Sequence, residues 1–218
     1  MSEVISLQDA MAQIAKLENE IRKGSLLVLP VEGSYLYVAD AFNISAVKRI
    51  HELRGDEPGT ATAVAIASPQ TLEGIATNIS DEMRALAKKF WPGLLTLLVQ
   101  PNSALAWDLG DSGELGEFAV RVPDSELLIS LAKNIGPLAF AAAANAGNGA
   151  ARNLDSVSAI SGEINIYVDG GELPDFGQST IVRAKVIGQS ALEVLRIGAI
   201  SLEQLQEEIP AISLVQPL

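Results

Sequence analysis

The 218-residue sequence contains no cysteine and a single histidine, His51. The first absence excludes disulfides, thiolate metal sites and a cysteine nucleophile, and it fits a reducing compartment. The second means that a Ser-His-Asp triad or a histidine metal site would have to rest on His51 alone. His51 falls in a predicted helix beside Arg49 and Glu52, where a solvated surface position is expected. Aromatic residues make up only 5% of the chain, so the core must come from Ala, Val, Ile and Leu. Such cores suit parallel or mixed sheets whose strands are buried on both faces. Basic residues are outnumbered, 15 against 27 acidic ones, for a formal net charge of −12. Nucleic-acid binding draws on counterion release at a basic surface, so this balance argues against tRNA or double-stranded RNA as a partner. The plainer reading is that acidity confers solubility. No stretch approaches the ~18 uninterrupted apolar residues of a membrane span, and residues 1–24 lack a basic start followed by an apolar run. A soluble, cytoplasmic protein without a membrane partner is expected. Two phosphate-binding signatures are also missing, the Gly-x-x-x-x-Gly-Lys-Ser/Thr loop and a Gly-x-Gly-x-x-Gly turn after a strand.

Apolar residues, 48% of the chain, fall in short runs and helical stripes. Leu7, Met11, Ile14, Leu17 and Ile21 recur at three or four residues, which predicts an amphipathic helix over 6–22 with Ser6 as its cap. Further helices are predicted over 45–54, from Ser68-Pro69, from Ser80 to about Phe90, over 124–135, and over 201–208 with a capping box. Strands are predicted over 25–31, 62–67, 94–100, 118–122, 138–143, 164–168, 179–187 and 192–197. The two element types alternate without a Pro/Ser-rich linker, so residues 1–218 read as one domain. The alanine-glycine run at 139–151 has two readings: a small-residue strand packed under a helix, or a strand end that lets a ligand approach the backbone. Asp169-Gly170-Gly171-Glu172 reads as a turn before it reads as a metal site.

Four segments then stand out in order. They are Leu29-Pro30-Val31-Glu32-Gly33-Ser34-Tyr35-Leu36-Tyr37, Phe90-Trp91-Pro92-Gly93-Leu94-Leu95-Thr96, Val120-Arg121-Val122-Pro123, and Gly170-Gly171 with Gly177-Gln178-Ser179-Thr180-Ile181-Val182. Together with Val194-Leu195-Arg196-Ile197-Gly198-Ala199 they resemble the motifs of the YrdC-like family of threonylcarbamoyl-AMP synthases over almost the whole chain. The resemblance implies an α/β fold, a twisted mixed parallel/antiparallel sheet with flanking helices around a deep cleft. It also implies a small-molecule ligand: family members condense threonine, bicarbonate and ATP, with magnesium, into threonylcarbamoyl-AMP for a tRNA modification. Carried over residue by residue, it puts Arg54 and Asn145 at catalytic positions. Glu32, Tyr35, Arg121, Ala143, Asn145, Ser179, Thr180 and Arg196 fall at substrate- or nucleotide-binding ones. Tyr35 also reads as a packing residue with a hydrogen-bonded hydroxyl, Arg121 as a cleft arginine or half of an ion pair, and Trp91-Pro92-Gly93 as a structural turn.

The departures are as telling. The family's Lys-x-Arg pair becomes Arg54-x-Asp56, its serine becomes Ala143, and both threonines of the first motif become Val31 and Gly33. Adenylation gathers triphosphate, carboxylate and carbamate, so it depends on fixed cations. A charge reversed about 4 Å from a phosphate shifts the interaction by several kcal/mol at intermediate dielectric. Three functions therefore compete: a paralogue that binds a nucleotide or related molecule without forming threonylcarbamoyl-AMP, an active synthase with a rearranged site, and a double-stranded-RNA-associated or interaction protein using the concave surface.

Overall fold

The computed structural model describes residues 2–114, 116–157, 164–184 and 192–215. The chain opens on β1 (Glu3–Ser6), and the Ser6 hydroxyl accepts from the Asp9 backbone N–H, so that helix starts at Leu7. The single helix expected over 6–22 is two, α1 (Leu7–Ala12) and α2 (Ile14–Arg22), because Gln13 leaves helical geometry at φ −112, ψ 29. The apolar stripe survives the break only in part: Leu17 and Ile21 are buried and Met11 and Ile14 half-buried, but Leu7 is exposed and Ala10 is buried in α1 instead. β2 (Leu26–Val31) and β3 (Ser34–Asp40) form a hairpin through Glu32 and Gly33. α3 (Ile44–Arg54) is capped by the Asn43 side chain and ends at Gly55, whose φ of 64 suits glycine. β4 (Ala63–Ala65) follows, then a 3-10 turn at Pro69–Thr71, α4 (Leu72–Ile75), β5 (Ala76–Thr77), α5 (Asp81–Phe90), β6 (Leu95–Pro101) and β7 (Phe118–Arg121). α6 (Glu126–Ile135), β8 (Leu138–Ala142), β9 (Ile164–Asp169), β10 (Thr180–Ala184), β11 (Leu192–Arg196), α7 (Leu202–Glu208) and β12 (Ser213–Leu214) complete the described elements. Residues 185–187 of the strand expected over 179–187 lie outside the described residues.

The strands join into one mixed sheet in the order β1-β9-β2-β3-β8-β4-β7-β6-β10-β11-β12, with β5 paired to β6. Parallel pairs (β1 with β9, β2 with β9, β4 with β7, β6 with β10) are interleaved with antiparallel ones (β2 with β3, β3 with β8, β6 with β7). Strand alternation sorts the side chains into two cores. On one face Val28, Tyr35, Tyr37, Val64, Leu97, Val120 and Val182 pack with residues of α3, α5 and α7. On the other, Leu27, Leu29, Val31, Leu36 and Val38 pack under α1, α2 and α6. These three helices cover only part of that second face. On β7, β6 and β10 its residues line a cleft instead.

Candidate ligand-binding cleft

The cleft has a volume of about 260 Å³. Ala63, Ala119, Phe140, Ala142 and Ile181 supply apolar wall, and Arg54, Asp56, Thr96, Arg121, Ser179 and Arg196 supply the polar groups. The floor follows from strand alternation: Ala119 and Arg121 face the cleft while Phe118 and Val120 enter the core behind it. The Thr62 hydroxyl, on the cleft wall, is buried without a hydrogen-bond partner among the described residues.

Arg54 projects from the end of α3 and is fixed on two sides. Its Nε donates to both carboxylate oxygens of Asp56, at 3.1 and 3.0 Å, and its Nη1 donates to the carbonyls of Ala142 and Ala144, at 2.6 and 3.1 Å. The Ala146 N–H returns a bond to the Arg54 carbonyl at 2.7 Å. Asp56 is only 6% exposed and also takes a bond from His51 Nδ1 at 2.9 Å. The solvated position expected for His51 is corrected here. Its side chain is 14% exposed, and Nε2 lies 2.9 Å from the Leu109 carbonyl, because the 108–112 loop folds over α3. A second cavity of about 270 Å³ lies across His51 and Asp56, which line both, so the pair forms a partition between the two.

Arg121 is 8% exposed and pairs with Glu32, itself 6% exposed, through Nη1. The other Glu32 oxygen accepts from the Asp124 N–H at 3.0 Å, and the Arg121 guanidinium sits 5.2 Å from the centre of the Phe140 ring. To reach Arg121, Glu32 adopts φ 53 in the hairpin turn, a left-handed conformation costing a non-glycine residue about 1 kcal/mol or more. Arg196 is held differently. Its Nε and Nη2 donate to the Ser179 carbonyl at 3.1 and 2.9 Å, and Nη2 also donates to Ser179 Oγ at 3.1 Å. Thr96 Oγ1 donates to the same Oγ at 2.9 Å. Burial, and after it the charge of Arg121, lower the Arg196 pKa from its ordinary value.

The structure thus gathers Arg54, Arg121, Ser179 and Arg196 in one cleft, with Glu32 behind Arg121. Tyr35, Ala143, Asn145 and Thr180 do not line it. Tyr35 sits on the opposite face, where its hydroxyl donates to the Gly171 carbonyl and accepts from the Gly170 N–H, both at 2.9 Å. Burial raises its pKa. Thr180 is fully buried for the same alternation reason, donating to the Ile200 carbonyl at 2.7 Å and accepting from the Gly198 and Ile200 N–H groups. Ala143 is buried behind the strand end, with its neighbour Ala142 in the cleft, and Asn145 lies exposed in the following turn. Val31 belongs to the core under α1 and α2. At Gly33 a Cβ would stand 2.7 Å from the Pro174 carbonyl, so the chain's own backbone fills the space of a side chain. Thr96, like Thr60 and Thr62, is a polar lining residue that sequence reasoning passed over. The register Thr96 to Ile181 sets it beside Ser179, a pairing invisible before the strands are joined.

The cleft's one lining carboxylate, Asp56, is engaged by Arg54 and His51, and no group of three or more His, Cys, Asp or Glu residues able to hold a metal occurs among the described residues. These side chains do not fit a magnesium ion held by the protein itself. Among the described residues no helix is long and apolar enough to cross a membrane.

A mixed sheet with helices over one face and half of the other, and an arginine-rich cleft in the uncovered half, is the architecture of a small-molecule-binding α/β protein. A family model described as "Telomere recombination", covering the Sua5, YciO and YrdC proteins, matches residues 19–198. A Mycobacterium leprae (strain TN) protein, whose name carries threonylcarbamoyl-AMP synthase activity provisionally, is 32% identical over 195 residues, 89% of this chain and 86% of that one. The threonylcarbamoyl-AMP synthase of Pyrococcus abyssi (strain GE5 / Orsay) is 32% identical over 191 residues, 87% of this chain and 55% of that one. The crystal structure of P. abyssi Sua5 complexed with L-threonine shares the fold with a TM-score of 0.85 at 29% identity, over 99% of this chain and 62% of that one. The chain belongs to the Sua5/YciO/YrdC family.

Proposed function

We propose that the chain binds an adenosine nucleotide or related small molecule in the Arg54–Arg121–Arg196 cleft without forming threonylcarbamoyl-AMP. The observation carrying this reading is Asp56, which stands where the family pattern has an arginine and holds Arg54 through both carboxylate oxygens. A phosphate chain entering there meets a fixed carboxylate and an arginine already neutralised, which removes the electrostatic stabilisation adenylation depends on. Ala143 and Val31 supply no hydroxyl, and Gly33 no side chain. The protein acts in this reading as one cytoplasmic domain, and magnesium enters only as the companion of a bound nucleotide. Nucleic acid has no part in it at a net charge of −12. The test supplies purified protein with ATP, magnesium, threonine and bicarbonate. No pyrophosphate release dependent on both threonine and bicarbonate is expected, while nucleotides raise the melting temperature by mass action.

A second reading, an active synthase with a rearranged site, is favoured by the joint presence of Arg121, Ser179 and Arg196 in the cleft. Pyrophosphate release requiring both co-substrates would establish it and end the first.

A further inference from the structure

Behind Arg54 the hydrogen bonds run on through two more side chains. Arg54 lines the cleft, donates Nε to both oxygens of Asp56 and uses Nη1 on two backbone carbonyls, so that only Nη2 has no protein partner among the described residues. Asp56 in turn faces His51 Nδ1 at 2.9 Å, and across the ring Nε2 lies 2.9 Å from the Leu109 carbonyl. Both atoms opposite the imidazole are acceptors: a carbonyl oxygen has no hydrogen to give, and neither has a carboxylate. Only a ring with a hydrogen on each nitrogen, the imidazolium, satisfies both contacts at these distances. A neutral ring keeps one hydrogen. The Asp56 charge draws it to Nδ1, and the Nε2 lone pair is then left facing the lone pairs of Leu109.

Packing gives the ring little room to avoid that clash. Gly110, at φ 106, lies so close that a Cβ there would stand 2.0 Å from His51 Nε2 and 2.8 Å from the Thr60 carbonyl oxygen. The 108–112 loop thus meets the ring through its backbone. The Leu109 carbonyl also accepts from the Thr62 N–H at 2.8 Å, so it keeps a partner when the ring hydrogen leaves. The second proton changes what the cleft presents as well. Arg54 and Asp56 alone sum to zero charge. With a charged His51, one carboxylate is shared by two cations and the group behind the free Nη2 is net positive.

The charged groups on the elements around the ring are Lys48, Glu52 and Arg54 of α3, Asp56 and Glu57 after it, Asp108 and Asp111 of the loop, and Arg121 and Arg196 across the cleft. Among the described residues Asp56 is the one that pairs with the imidazole. Carboxylates, lysine and arginine ordinarily keep their charge between about pH 5.5 and 8, and His51 is the chain's single histidine. We propose that His51 is a positioning residue for the cleft: by taking up a second proton it seats the 108–112 loop and shares Asp56 away from Arg54, so that a phosphate-bearing ligand is held more tightly as pH falls. This rests on the nucleotide-binding reading above and couples that binding to one proton.

A single histidine gives a single imidazole signal in a ¹H–¹³C correlation spectrum. The test follows it in untagged protein from about pH 5.5 to 8, with and without ATP and without added metal, alongside calorimetric ATP titrations at both ends of the range. ATP should bind at least about fivefold tighter at the acid end, after division by the same ratio in His51→Gln, which cancels the ligand's own titration. By reciprocity, saturating ATP should raise the midpoint of the His51 signal by about 0.7 pH unit, the same factor read from the other side. A midpoint unmoved by ATP that does bind would overturn the proposal and leave nucleotide binding intact, as would an equal pH ratio in His51→Gln. No ATP binding at any pH would end the nucleotide reading and this proposal with it. Should His51→Gln fail to fold, the midpoint with and without ATP in the unmodified protein still decides.

Discussion

Ser179 and Thr180 are adjacent hydroxyl residues of one motif, and the strand's period of two gives them different work. Thr180 points into the core, where its hydroxyl bonds the Ile200 carbonyl and the N–H groups of Gly198 and Ile200. Ser179 points into the cleft and touches Arg196 and Thr96. Replacing Thr180 by valine keeps the shape and leaves the buried N–H and carbonyl of Ile200 and the part-buried N–H of Gly198 short of a partner, a loss of about 2 to 3 kcal/mol. Ser179→Ala takes an acceptor from the Thr96 hydroxyl and the Arg196 guanidinium, both of which line the cleft, and should cost under about 1 kcal/mol. Urea denaturation separates the two: Thr180→Val shifts the midpoint strongly, Ser179→Ala barely, whereas the nucleotide-induced melting shift is reduced by Ser179→Ala. A reversed pattern would mean that the strand is turned over relative to this structure. The same logic explains Tyr35 and Ala143. A motif tells which residues are close in sequence to a site, and the register tells which of them face it.

At the scale of elements, the cleft depends on two loops meeting backbone to backbone. A Cβ at Gly198 would stand 2.1 Å from the Gln178 carbonyl oxygen and 2.7 Å from the Ser179 carbonyl carbon. The Ala199 N–H donates to that Gln178 oxygen at 2.8 Å, so the segment after β11 is fastened to the one before β10. Gly198→Ala must part them, at a cost of about 3 kcal/mol, because the obstructing atoms are backbone and cannot rotate away. Gly74 in α4 has open space around its Cβ position, so Gly74→Ala should be neutral or stabilising by up to about 1 kcal/mol. Paired denaturation curves check both, and equal midpoints for the two variants would refute the close approach. Elements of this kind were legible in the sequence to different degrees. Helix starts were plain at Ser6, Ser80 and Ser201, which each accept from the backbone N–H three residues on, whereas the helix expected from Asp124 begins at Glu126 behind a Ser125 cap. The strand β3 was not, since its five inner residues are buried on both faces and show no alternation. The two-residue β5 and β12 exist only through their partners. In the cleft, Arg121, Ser179, Arg196 and Arg54 were marked by motif. The Glu32 and Asp56 partners that neutralise two of the arginines required the fold, as did the partition made by His51.

The whole molecule buries its few aromatic hydroxyls, and this sets how it responds to alkali. Its tyrosines number three, Tyr35, Tyr37 and Tyr167. Burial is the leading cause raising the pKa of each, and Tyr37, fully buried with no hydrogen-bond partner for its hydroxyl among the described residues, is pushed up to about 12. A phenol whose folded pKa exceeds the ordinary value of 10.0 keeps its proton longer in the folded state. The stability this represents is fully present below pH 10 and drains away as pH rises toward 12. The effect falls on one continuous sheet, in which Tyr35 and Tyr37 lie on β3. Less tyrosinate than the half-ionisation of a free phenol is therefore expected in the folded protein at pH 10, with the Tyr37 signal emerging together with unfolding. Absorbance at 295 nm followed alongside far-ultraviolet circular dichroism reads both at once. A tyrosinate signal already half developed near pH 10 with the dichroism unchanged would mean that the phenols titrate as solvent-exposed ones do, and the burial of β3 would have to be abandoned.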